Sequence, residues 1–171
     1  MKEDLKMSNE YKDWLEELKN APIGSPDHKR WLLMEYPWLN MDEDEAINYI
    51  DMDENEVYTY IDCAPNGWAK LCEDLCAELK VLFDKVGYKD YSLCQVKEKF
   101  GGLRWYDNGV PHEIYEEYNK IIRKYEERSF HTCCKCGAPA TKLSLGWICP
   151  FCDKCADEIG GGFTKLDDDE E

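Results

Sequence analysis

The sequence predicts a helix-rich α+β fold: an α-helical body carrying one β-hairpin, followed by a C-terminal four-cysteine zinc ribbon. Three features point there. Apolar residues recur at helical spacing in several segments. Two alternating runs between Ser92 and Tyr106 flank Gly101-Gly102, the composition of a tight hairpin. Two Cys-x-x-Cys pairs then fall within 23 residues, from Cys133 to Cys155. With 171 residues there is room for one domain and a small appendage, not for two full-sized domains. Six Trp and eleven Tyr supply enough large apolar area for most of the chain to fold.

Taken in order, Tyr11, Trp14, Leu15 and Leu18 mark an amphipathic helix over residues 9–20, with Ser8 placed to cap it. Ala21-Pro22-Ile23-Gly24 breaks that helix, and Ser25-Pro26 starts another that runs into Arg30-Trp31-Leu32-Leu33-Met34 and stops at Pro37. Four acids, Asp42 to Glu45, stand in the first turn of a third short helix over 42–50, where the helix dipole favours them. The β-branched and aromatic run Val57-Tyr58-Thr59-Tyr60-Ile61 reads as a strand or extended segment. Pro65-Asn66-Gly67 is a turn. From Trp68 to Val86 the periodicity is the strongest of the chain, and Gly87 is placed to end the helix. The hairpin over 92–106 should bury one face, with Phe100 and Trp105 in the core. Pro111 opens a last long helix whose stripe is Ile114, Tyr118, Ile121, Ile122 and Tyr125. This divides the chain into an acidic helical region (1–62), a helix-hairpin-helix core (63–130), a zinc ribbon (131–160) and an acidic tail (161–171) ending Asp-Asp-Asp-Glu-Glu.

Ten cysteines in a chain without a recognisable secretory leader suggest metal binding and burial, not disulfides. Cys72 and Cys76, four apart, share a stripe with Leu71, Leu75 and Leu79 and are expected in the core, as are Cys63 and Cys94. In Cys133-Cys134-Lys135-Cys136 and Cys149-Pro150-Phe151-Cys152-Asp153-Lys154-Cys155, two intervening residues let paired thiolates reach one ion, and two such knuckles close a tetrahedron. Cys149, Cys152 and Cys155 offer two overlapping second pairs. Pro150 suits a knuckle at Cys149 poorly, so the expected ligands are Cys133, Cys136, Cys152 and Cys155, leaving Cys149 and His131 as the alternatives. Four thiolates leave no open position, so the expected ion is one structural Zn2+ per chain and not a catalytic one.

The run Gln95-Val96-Lys97-Glu98-Lys99-Phe100-Gly101-Gly102-Leu103-Arg104-Trp105-Tyr106, the upstream Pro65-Asn66-Gly67-Trp68, and the downstream Cys136-Gly137-Ala138-Pro139, Gly146-Trp147 and Cys152-Asp153-Lys154-Cys155-Ala156 resemble a group of small zinc-ribbon proteins encoded by bacteriophages and prophages. The likeness spans roughly residues 60–158. In that group the position of Cys155 is often histidine, which favours Cys152 and Cys155 as the second pair. The resemblance implies a phage gene acting in a bacterial cytoplasm and carries no chemistry with it.

Charge gives the remaining clue. The net −16 divides into −11 over residues 1–62, −1 over 63–130 and −4 over 131–171. No Lys or Arg lies between Arg30 and Lys70, a stretch that includes Asp42, Glu43, Asp44, Glu45, Asp51, Asp53, Glu54 and Glu56. These eight are the expected partner-binding residues, since such a segment repels phosphate and attracts a basic protein surface. The alternative is nucleic-acid binding through the zinc ribbon and a hairpin surface of Lys89, Lys97, Lys99 and Arg104 with Phe100, Trp105 and Tyr106, against which the overall charge stands. No phosphate-binding glycine loop, serine elbow or H-E-x-x-H occurs, and His28, His112 and His131 have no evident partner set, so binding is expected and not catalysis. No apolar run is long enough to span a membrane, and a cytoplasmic location is expected.

Overall fold

Two helices packed on each other open the part of the chain that the structure, a computed structural model, describes: residues 9–41 and 57–166. The expected helix over 42–50, the eight carboxylates between Asp42 and Glu56, the Ser8 cap and the last five residues lie outside it. Helix α1 (Asn9–Asn20) buries Leu18 and leaves Tyr11 and Trp14 at its surface, their rings 5.6 Å apart. Helix α2 (Pro26–Glu35) begins where a hydroxyl and a proline favour it: Ser25 Oγ accepts from the His28 amide at 3.3 Å, and Pro26 fills a position whose N–H has no helical partner. Pro37 then opens a single 3-10 turn ending at Leu39.

The extended segment expected at 57–61 shrinks to one antiparallel bridge, Asn40 with Thr59. Beyond it, Tyr60–Cys63 winds into a 3-10 turn. The Asp62 carboxylate draws the chain round by accepting from both the Thr59 amide (2.7 Å) and its hydroxyl (3.1 Å), a local bond that outcompetes a strand with so short an edge to join.

Helix α3 (Ala69–Val86) is the core's axis. Leu71, Cys72, Leu75, Cys76, Leu79, Leu82 and Phe83 form its buried stripe, and Gly87, at φ 69°, ends it in the left-handed conformation. Burial pushes the Cys72 thiol up to about 12 and raises Cys76 as well, so both remain protonated and pack as small hydrophobes. Cys63 is half-buried, its sulfur 3.9 Å from that of Met41.

Strands β1 (Leu93–Lys99) and β2 (Gly102–Asp107) make the hairpin, with two corrections to the sequence reading. The turn is Phe100-Gly101 (φ 54° and 83°), one residue earlier than Gly101-Gly102, because Gly102 belongs to the strand: a side chain there would overlap the Phe130 ring. Phe100 is therefore exposed at the tip, not in the core, whereas Trp105 is buried. Cys94 is also exposed. It is the extra residue of a bulge between Leu93 and Gln95, which resets the alternation so that Leu93 and Val96 both face inward.

A 3-10 turn (His112–Ile114) leads into helix α4 (Tyr115–Phe130), which buries Tyr118, Ile122, Tyr125 and Ser129. Ser129 Oγ accepts from the Leu103 amide at 2.8 Å, fixing α4 to β2. Between these layers Phe83 collects the rings of Trp38, Tyr88, Tyr91 and Tyr118 at 4.7 to 6.4 Å. Tyr91 and Tyr118 also belong to an ordered relay: Trp105 Nε1 donates to Tyr91 Oη, Tyr91 to Tyr118, and Tyr118 to Asp107. Finally β3 (Lys142–Ser144) pairs antiparallel with both β4 (Pro150–Phe151) and β5 (Phe163–Lys165), and α5 (Asp153–Ile159) lies between the outer strands in sequence. The described residues thus form five α-helices and two small antiparallel sheets. None of those helices is long and apolar enough to cross a membrane.

Candidate metal centre

Each half of the centre is shaped by backbone hydrogen bonds. In the first knuckle the Cys133 amide donates to the Ala138 carbonyl at 2.7 Å, and the Gly137 amide returns to the Cys133 carbonyl at 2.9 Å. Gly137 turns at φ 79° and passes against the Gly67 carbonyl, where a side chain would collide. In the second knuckle Cys152 is the residue before α5, and its sulfur accepts from the Cys155 amide at 3.5 Å. The helix start is what returns an N–H to the sulfur, whereas Cys149 leads into strand β4 and not into a helix.

The four sulfurs of Cys133, Cys136, Cys152 and Cys155 lie within 4.8 Å of one another, with Cys136 and Cys152 at 3.6 Å. Zinc–sulfur bonds of about 2.3 Å put the corners of a tetrahedron about 3.8 Å apart, so the spacing of the donor set is compatible with that ion. Its electrostatics also call for a cation. Burial opposes ionisation of Cys133, but the amides of Cys152, Cys136 and Lys135 aim at its sulfur and bring it down to about 7. Cys155 goes the other way, to about 12, through desolvation and the neighbouring sulfurs of Cys136, Cys152 and Cys133. Four thiolates this close cannot all shed their protons unless a positive ion takes their place. The cluster is built to hold one metal ion with soft, tetrahedral preferences.

The remaining two cysteines of the segment belong elsewhere. Cys134 and Cys149 are buried in the main core and hydrogen-bonded to each other, which raises Cys134 and lowers Cys149. His131 is exposed at the end of α4 and stands apart from the cluster.

The centre is fastened to the start of α3. The Gly67 amide donates to the Cys134 carbonyl at 2.9 Å, and the buried Trp68 indole donates to Thr132 at 2.8 Å. A side chain at Gly67 would overlap the Cys133 carbonyl oxygen and come within 2.8 Å of that of Cys134. Sequence reading treats Gly67 only as a turn residue, since nothing local announces a contact 66 positions away.

Other residues singled out by sequence fall as follows. The eight carboxylates from Asp42 to Glu56 lie outside the described residues. On the hairpin Lys97, Lys99, Arg104 and Tyr106 are partly or fully exposed, while Trp105 is not. His28 is buried with both ring nitrogens engaged: Nδ1 with the Lys19 carbonyl at 3.1 Å and Nε2 with the Glu73 carboxylate at 3.0 Å. That ties the α1–α2 pair to α3. Trp147, Leu145 and Ile148, which sequence reading passes over as surface candidates, are exposed on the loop between β3 and β4. Their signal was available: Leu143 to Cys152 contains no charged residue in a chain that is 34% charged. No protein-family model, curated protein or solved structure matches the chain.

Proposed function

We propose that this chain acts by binding and not by catalysis. It is a zinc-stiffened scaffold of bacteriophage or prophage origin whose acidic N-terminal region docks on a basic host protein in a bacterial cytoplasm. The partner is a nucleic-acid-processing or defence enzyme, which the docked protein inhibits or modulates. One observation carries this reading: residues 31–69 hold ten carboxylates and no Lys or Arg, within a chain of net charge −16. A field of one sign speeds encounter with a surface of the opposite sign, and spaced carboxylates offer a cationic cleft the charges it otherwise takes from phosphates. The metal's part is structural. Four thiolates complete its coordination and leave no position for a substrate.

The test immobilises the full chain, passes a nuclease-treated bacterial lysate over it and compares it with a variant in which Asp42, Glu43, Asp44 and Glu45 are all lysine. The wild type should retain one basic protein that salt releases, and the variant should bind it at least about a hundredfold more weakly, since like charges across an interface cost several kcal/mol. Equal retention by the variant removes the acidic segment from the interface.

A further inference from the structure

Two turns from separate parts of the chain meet at one end of the molecule. Phe100-Gly101 turns the hairpin, and Leu145 to Ile148 connect β3 to β4; a side chain added at Gly101 would come within 3.3 Å of Ile148 Cγ2. Between them lies a cleft of about 310 Å³ lined by Glu98, Lys99, Phe100, Gly146, Trp147 and Ile148. Phe100 is 71% exposed and Trp147 77%. Phe100 also sits at φ 54°, a left-handed conformation that costs a side-chain-bearing residue about 1–2 kcal/mol and that asparagine or glycine adopts with less strain. The chain thus keeps a ring where neither burial nor turn geometry calls for one.

The charges beside the rings favour one kind of ligand. Lys97 and Arg104 are cross-strand partners on the hairpin face opposite Val96, Leu103 and Trp105, and Lys99 follows on the same face toward the tip. Seven other lysines are paired with carboxylates. Lys97 and Lys99 are among the eight described lysines without such a pair, and their ammonium groups lie over the Tyr106 and Phe100 rings at 5.2 and 5.4 Å. Glu98, the one carboxylate of the cleft, is committed to the Gly101 amide at 2.6 Å. The loop from the other side brings no charge at all.

We infer that this end of the molecule binds single-stranded nucleic acid, one unpaired base entering the cleft between Phe100 and Trp147 while Lys97, Lys99 and Arg104 take the adjoining phosphates. Stacking on aromatic rings beside a cationic track is how unpaired strands are held without sequence preference. A duplex has its bases already stacked and paired. An apolar protein knob would use the rings and offer no anion to Lys97 and Lys99. Arg104, which donates to the Leu103 carbonyl at 2.8 Å and lies near Glu126, is the most committed of the three cations. The chain's net negative charge opposes the contact only through those charges that lie within a Debye length, about 8 Å at physiological salt. The acidic segment 42–56 plays no part, so this site and the basic-partner reading stand or fall separately.

The experiment is fluorescence anisotropy of the full-length, zinc-loaded chain with a labelled single strand of about 16 nucleotides and with the same sequence as a duplex, between about 50 and 200 mM salt. The single strand should bind and the duplex should not. Phe100→Asn, which suits the turn and so keeps or raises the melting temperature, and Trp147→Ser, at an exposed loop position, should each weaken binding about 5- to 150-fold. Lys99→Gln should lower the slope of log K against log salt by about 0.7. The inference is overturned by absence of single-strand binding, by equal binding of the duplex, or by ring variants that bind like the wild type. It is equally overturned if sedimentation shows that the same two variants convert a dimer to a monomer while no oligonucleotide binds, which would make this face a contact between two copies of the chain.

Discussion

A cysteine's role in this chain is set by what its sulfur faces, and eight of the ten divide accordingly. Cys72 and Cys76 look into Leu-rich core and keep their protons, Cys134 and Cys149 satisfy each other, and only Cys133, Cys136, Cys152 and Cys155 converge on a common point. Replacing one ligand leaves three thiolates that cannot close a tetrahedron. Cys133→Ser and Cys152→Ser should therefore each purify without stoichiometric zinc, whereas Cys76→Ala should retain one zinc per chain, as measured by elemental analysis of the purified proteins. A full equivalent of zinc in either serine variant would show that the ligand set is different. The convergence of these four sulfurs was legible because a Cys-x-x-Cys spacing has few other physical uses. The exposure of Cys94 was not, since the bulge that turns it outward depends on how Leu93 and Gln95 pair with the opposite strand.

Among the elements, α3 and α4 meet through a contact that titrates. Burial disfavours the Glu78 carboxylate, but hydrogen bonds from Lys124, which reaches both of its oxygens, and from Tyr125 at 2.8 Å outweigh this and hold its pKa below the ordinary value. A carboxylate depressed in the folded state adds stability above its unfolded pKa, about 4.3, and loses that contribution as pH falls through the folded value. Thermal melts should accordingly place wild type above Glu78→Gln at pH 7, with the gap closing below about pH 4. A gap that is constant with pH would assign the loss to packing alone. The helices themselves were readable from the sequence: the stripe of Leu71, Leu75, Leu79 and Leu82 and the Ser25-Pro26 start each dictate structure within a few residues. Segment 57–61 was not, because β-branched and aromatic composition says a strand is possible while only a partner of sufficient length makes one, and Asn40 is a single residue of edge.

At the scale of the whole molecule, the metal centre and the helical body meet through backbone as well as through the side chains of Trp68, Cys134 and Cys149. Gly67 and the Cys133–Cys134 peptide approach so closely that any side chain must displace one or the other. Gly67→Ala should destabilise the fold by about 1–3 kcal/mol, the usual cost of overpacking, and should make the zinc easier to strip with a chelator. Both effects can be followed by denaturant titration with and without chelator. A variant that loses stability yet holds its metal as firmly as the wild type would show that the two parts are not coupled.

The same contact sets an order of events during synthesis. The body up to α4 is synthesised before either knuckle, and the start of α3 meets a peptide 66 residues downstream; an ion could be fully enclosed only after Cys155 has been made. Capture of an ion by all four sulfurs would thus come after the helical body has been synthesised, as a latch on it.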